Sequence, residues 1–122
     1  MTNIHIKVIG DFSMVYSLQY CSTAIKEYLN NNRIAKFKIG KTAGDVQKRY
    51  DCDDEYKNEY DEIISIYETK DKKLIDKLEQ QLIDVFCVTH PNECKNMQVG
   101  GGPNCADSKE ETASIYIVVK YA

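Results

Sequence analysis

Tryptophan is absent from the chain, proline and arginine occur twice each, and the five cysteines include no CxxC pair. No internal repeat or low-complexity linker interrupts the sequence. Its 122 residues therefore read as one domain, 1–122, large enough to bury most of its apolar surface. No apolar N-terminal segment resembles a signal peptide or a membrane helix, so no membrane association is expected. An odd number of thiols without paired spacing points to reduced cysteines in a cytosol. Cys87, His90, Cys94 and Cys105 lack the paired knuckle of a zinc site, and no metal is expected there. Positive charge is not in excess either: 16 Lys and Arg against 19 Asp and Glu give a net charge of −3. Affinity for long duplex nucleic acid comes mainly from displaced phosphate counterions, so nucleic acid is not an expected partner. A small anion held in a local basic pocket is compatible with the same balance.

What is present has the composition of an ordinary globular domain, 43% hydrophobic and 29% charged. Thr2 to Ile9 alternates apolar and polar residues as a half-buried strand does. Ser13 can cap a helix in which Met14, Val15, Leu18, Cys21, Ile25, Tyr28 and Leu29 recur at helical spacing, ended by Asn30-Asn31-Asn32. Ala35 to Ile39 reads as a strand that Gly40 breaks, and Asp45 to Tyr50 as a short helix with Val46 and Tyr50 inward. The acidic group Asp51, Asp53, Asp54, Glu55 lacks the glycine and terminal glutamate of a calcium loop and reads as a solvated loop. Glu62 to Glu68 is a buried strand. Asp71 then caps a helix running to about Cys87, with a stripe of Leu74, Ile75, Leu78, Leu82, Ile83, Val85 and Phe86. Residues 91–96 and the Gly100-Gly101-Gly102-Pro103-Asn104 run read as turns, and Asp107 to Thr112 as a polar loop before a last strand with Ile115, Ile117 and Val119 on one side. The order β, α, β, α, β, α, β predicts an α+β fold: a small mixed or antiparallel sheet of three to four strands flanked by helices.

The richest stretch for function is Phe37-Lys38-Ile39-Gly40-Lys41-Thr42 followed by Arg49. A cation, a hydroxyl and free backbone N–H groups at a strand-to-helix turn are suited to a phosphate, and arginine's planar fork matches phosphate oxygens. Gly-Lys-Thr lacks the upstream glycine of a nucleotide-triphosphatase loop, which excludes that class. The glycines Gly100, Gly101 and Gly102 free the backbone to approach an anion closely. Tyr16 offers a ring face to a base, and Asn92, Asn96, Asn104 and Lys109 offer further polar contacts. Glu79 sits one position from the centre of its helix's apolar stripe, at the edge of the core.

Phe37 to Arg49, the strand Ile63 to Tyr67 and then Glu79 in Leu78-Glu79-Gln80-Gln81-Leu82 resemble the GIY-YIG nuclease scaffold, in particular its variants with Lys-Ile-Gly-Lys-Thr. The resemblance implies a GIY-YIG-like core in which Arg49 and Glu79 serve phosphodiester cleavage with a divalent metal. No Gly-Ile-Tyr precedes the Lys-Ile-Gly segment, and Lys38 replaces the tyrosine of the second motif. The tyrosines that handle the attacking water are thus not where the family has them, which predicts binding without catalysis.

In length, in Tyr16 and Asn92, and in a glycine loop before a final strand, the whole chain also resembles the phage-type Thoeris anti-defence family. That resemblance implies a non-enzymatic sponge, without cofactor, metal or catalytic residues, in the host cell cytosol. It would sequester glycocyclic ADP-ribose, a cyclic ADP-ribose-type signal, and so keep the Thoeris effector inactive. The expected ligand-binding set is Tyr16, Lys41, Thr42, Arg49, Asn92, Gly100, Gly101, Asn104 and Lys109. A purine, ribose hydroxyls and a pyrophosphate need a largely enclosed pocket, so a homo-oligomer, dimer or higher, with pockets at its interfaces is expected.

Overall fold

The computed structural model describes residues 2–3, 13–96 and 104–122. They form an α+β fold whose elements are β1 (Thr2–Asn3), α1 (Met14–Asn31), β2 (Ile34–Ala43), α2 (Val46–Asp51), α3 (Asp54–Glu59), β3 (Glu62–Thr69), α4 (Lys72–Thr89) and β4 (Ala113–Tyr121), with a 3₁₀ turn at Cys105–Asp107. The sheet order is β1-β3-β4-β2. β4 runs antiparallel to both β3 and β2, and the short β1 pairs in parallel with β3. The last strand of the chain is therefore an inner strand of the sheet, and Ala113 to Val119 are all buried. A strand covered on both faces reads as a continuous apolar run, as Ile115-Tyr116-Ile117-Val118-Val119 does.

Two layers of helix cover the sheet. α1 and α4 lie on one face, over a core that includes Cys21, Ile25, Phe37, Ile39, Ile64, Ile66, Tyr67, Leu78, Leu82, Phe86, Ile115 and Ile117. α2 and α3 lie on the other, over Val46, Tyr50, Tyr56, Tyr60, Ile63, Tyr116 and Val118. Burying each large apolar side chain contributes about 1.5–3 kcal/mol. Among the described residues all four α-helices begin at side-chain caps on orphan backbone N–H groups: Ser13 to Tyr16, Asp45 to Gln47, Asp53 to Tyr56 and Asp71 to Leu74. A register shift between Ser65 and Tyr67 puts both Ile66 and Tyr67 in the α1/α4 core.

Several expectations change. β2 does not stop at Gly40: it runs to Ala43, paired residue by residue with β4, and the chain turns at Gly44, whose φ of 85° suits glycine. The acidic group after Asp51 is no loop. Asp53 caps α3 through the Tyr56 N–H, and Glu55 lies within that helix. Val15, placed on the apolar stripe of α1, is 72% exposed. Of the strand expected over Thr2 to Ile9, Thr2–Asn3 is seen and the remainder lies outside the described residues, as do Gly100 and Gly101. The outer edge of β2 is covered by the segment after α4. The Phe37 N–H donates to the Glu93 carbonyl and the Lys95 N–H to the Phe37 carbonyl, while the Ile39 N–H donates to Asn96 Oδ1 at 2.7 Å and Asn96 Nδ2 donates to the Ile39 carbonyl at 2.8 Å. A paired edge is protected from pairing with other chains.

Gly40 has a steric task. It lies opposite Tyr116 in the β2–β4 register, and a Cβ at Gly40 would stand 2.3 Å from the Tyr116 ring. Because the ring fills the side-chain space above Gly40, Gly40→Ala should destabilise the protein by about 2–3 kcal/mol in urea unfolding through this clash, whereas Gly44→Ala, whose added methyl meets the flexible Glu110 side chain, should cost about 1–2 kcal/mol through its positive φ. A loss below about 0.5 kcal/mol in Gly40→Ala would show that the ring moves aside without cost.

Candidate functional site

Two polar clusters meet β2 at consecutive residues. Gly40 faces α2 and α3, and Lys41 faces α4, because successive strand residues point to opposite faces. On the first side the Tyr116 hydroxyl shares a hydrogen bond of 2.8 Å with the Tyr56 hydroxyl. The Arg49 guanidinium lies 4.7 Å above the Tyr56 ring and donates to Asp53 at 2.8 Å. The Arg49 side chain remains 35% exposed, so part of its donor fork faces solvent. Burial, reinforced by Tyr56, pushes the Tyr116 pKa well above the ordinary tyrosine range. Its hydroxyl is therefore a neutral donor and acceptor at physiological pH.

On the second side the Lys41 ammonium, half-buried, lies between two carboxylates of α4, 3.0 Å from Asp76 and 3.8 Å from Glu79. Asp76 also accepts the Cys105 and Ala106 N–H groups at 2.7 and 3.1 Å, tying the 3₁₀ turn to α4. Burial opposes the charge on Asp76, but those amides and Lys41 hold it below the usual carboxylate range. Among the described residues Glu79 has no such amide support. Burial lifts it to about 7, against the pull of Lys41 and Arg49 and with the added push of Asp76. Glu79 thus feels cations from both sides of β2.

The sequence-derived ligand set is distributed unevenly. Lys41 is committed to its carboxylates, and the Thr42 hydroxyl donates to the Ala43 carbonyl. No strand-to-helix turn with open amides exists at Gly40–Thr42, since β4 pairs with that stretch, and the generic phosphate-turn reading is corrected. Tyr16, 67% exposed, stands in the first turn of α1. Asn104 is exposed ahead of the 3₁₀ turn, and its side chain makes no capping bond. Lys109 is exposed between Ser108 and Glu110, whose carbonyls take the Lys72 ammonium at the start of α4. Asn92 is exposed beyond the other end of that helix. Eighteen helical residues span ~27 Å, so Asn92 and Lys109 of one chain do not reach one nucleotide. Tyr56, Tyr116, Asp53 and Asp76 were not singled out in the sequence. The available signal was a glycine inside a strand, which marks a close approach by a neighbouring group.

The raised Glu79 fixes a sign. Folded Glu79 binds its proton more tightly than the unfolded residue, so the native state holds more protons between about 4.5 and 7, and stability falls as pH rises through that window. The loss should be on the order of 2 kcal/mol, and Glu79→Gln should abolish this part of the pH dependence in urea unfolding with chelator present. A variant whose stability falls as steeply as that of the parent would place the titration elsewhere. No family model matches the chain, nor does any curated protein or solved structure.

Proposed function

We propose that the chain handles phosphodiesters as a divergent, metal-dependent nuclease, through Gly40, Tyr116 and Arg49 on one face of β2 and Glu79, which interacts electrostatically with Arg49 and Tyr116 from the α4 side. One observation carries this reading: the Tyr116 hydroxyl, seated by Gly40 and Tyr56, stands in the electrostatic reach of Arg49. The ground for expecting a non-enzyme was two missing tyrosines, one before the Lys-Ile-Gly strand and one at Lys38, and Lys38 remains in place of the second. β4 comes last in the chain yet lies beside that strand, and it brings a tyrosine against the glycine. A GIY-YIG-like site with its motifs in permuted order accounts for both facts.

In this reading Arg49 donates to a non-bridging phosphate oxygen with the part of its fork that Asp53 leaves free. Tyr116 and Tyr56 orient a water by hydrogen bonding and stay protonated, since burial disfavours tyrosinate. Asp76 and Glu79, three residues apart on α4, already bracket one cation, the Lys41 ammonium. Among the described residues no group of three or more His, Cys, Asp or Glu could hold a metal. Magnesium is held by one or two carboxylates completed by waters and substrate phosphates, so Glu79 fits as its protein ligand. A bound divalent ion would offset charge building on the phosphate oxygens.

Sequestration of glycocyclic ADP-ribose is the second reading, and the pairing of the cations favours it. Lys36, Lys38, Lys41 and Arg49 each hold a carboxylate, so among the described residues the cations along β2 and at Arg49 are locally neutralised, which suits a small ligand better than a polymer. The separation of Asn92 from Lys109 then requires pockets shared between copies of a homo-oligomer.

Incubation with supercoiled plasmid and labelled oligonucleotides in magnesium or manganese should give nicking that chelator stops. The rate should fall at least ~100-fold in Glu79→Gln and ~10-fold in Tyr116→Phe, with both variants folded. No cleavage by folded protein with either metal would sink the nuclease. Calorimetric binding of glycocyclic ADP-ribose, lost in Arg49→Ala, with unaltered nucleotide recovered after heat denaturation, would then support the sponge.

A further inference from the structure

We propose that Cys87 and Cys94 are a site of reversible disulfide formation that locks the segment after α4 onto the edge of β2. This rests on neither functional reading. The two sulfurs are 3.6 Å apart, Cys87 half-buried near the end of α4 and Cys94 buried in the bridge to Phe37. A disulfide needs about 2.05 Å, so closure requires an approach of roughly 1.5 Å. Both thiols also touch Asn96: Cys94 donates to its Oδ1 at 3.5 Å and Cys87 to its backbone carbonyl at 3.9 Å. That same Oδ1 accepts the Ile39 N–H, one residue before Gly40 and two before Lys41. The thiol pair therefore anchors the segment that completes the edge hydrogen bonds of β2.

A low-molecular-weight disulfide such as oxidised glutathione supplies the oxidant. The Cys87 thiol, the more accessible of the two, loses its proton, and its thiolate attacks one glutathione sulfur. That step forms a mixed disulfide and releases one glutathione thiolate. Cys94 then loses its proton and attacks the Cys87 sulfur, which breaks the mixed disulfide and releases the second thiolate. The two protons and two electrons of the protein thiols end on two molecules of reduced glutathione. Burial pushes the Cys94 thiol up to about 11, so the second step accelerates with rising pH.

The test uses the full chain with exposed Cys52 changed to Ser, which removes a competing adduct. Treatment with oxidised glutathione should lower the mass by about 2 Da and consume two of the remaining thiols, reversibly with dithiothreitol. Proteolysis after Glu93 separates the two cysteines, so the recovered fragments should stay joined until reduction. Amide exchange at Phe37 and Ile39, whose N–H groups donate to Glu93 and Asn96, should slow about tenfold on oxidation, and Tm should rise by roughly 5–10 °C. Cys87→Ser should abolish all of these changes, and because Cys87 is half-buried this variant tests the site even if Cys94→Ser fails to fold. A persistent glutathione adduct on Cys87, a bond to any other cysteine, or a disulfide that leaves exchange at Phe37 and Ile39 unchanged would overturn the proposal.

Discussion

The Tyr116 ring over Gly40 is the contact on which the architecture depends. It fixes the register of β2 against β4, because a one-residue slip would turn every side chain of a strand buried on both faces to the opposite layer. It also brings a hydroxyl from the end of the chain to a strand formed near its beginning. The sheet cannot close until residues 113–121 have been made, and pairings of such sequence separation favour slow folding.

Electrostatics set the character of the site. The chain carries net negative charge, and its cations on β2 are neutralised locally: Lys36 by Glu59, Lys38 by Glu55, Lys41 by Asp76, with Arg49 held by Asp53. The two outer lysine pairs are largely solvated and contribute little to stability. The Lys41 group is different, since Glu79 is buried, Lys41 and Asp76 are largely shielded, and loss of one partner would leave a poorly solvated, uncompensated charge. Glu79, short of hydrogen-bond donors, is where this arrangement is least satisfied. A buried carboxylate titrating near neutrality, coupled to cations on both sides of a strand, is the kind of perturbation that accompanies function.

The edge of β2 is managed by a segment too irregular to be a strand. One backbone bridge at Phe37 and one side-chain amide at Ile39 cover it, so Asn96 imitates a strand residue without extended pairing. The site is thereby held from three directions: β4 beside it, α4 beneath Lys41, and the post-helix segment along the outer edge.

Local rules written in the sequence determined the helices and the sheet class. Ser13, Asp45 and Asp71 cap where oxygen-bearing side chains precede apolar periodicity, and the stripe of α4 packs as its 3.6-residue spacing requires. Arg49 and Glu79 were legible as candidates because an arginine beyond a glycine and a glutamate at the core edge are locally unusual. The extent of β2 was not, since glycine ends a strand on propensity alone and only the partner strand shows that its missing side chain makes room for Tyr116. Nor was the order of strands, which puts the C-terminal segment inside the sheet. Capping and periodicity act over a few residues and can be read from one chain segment, whereas the site is assembled by contacts 60 residues apart, such as Tyr56 with Tyr116, that exist only when the strands have found their neighbours.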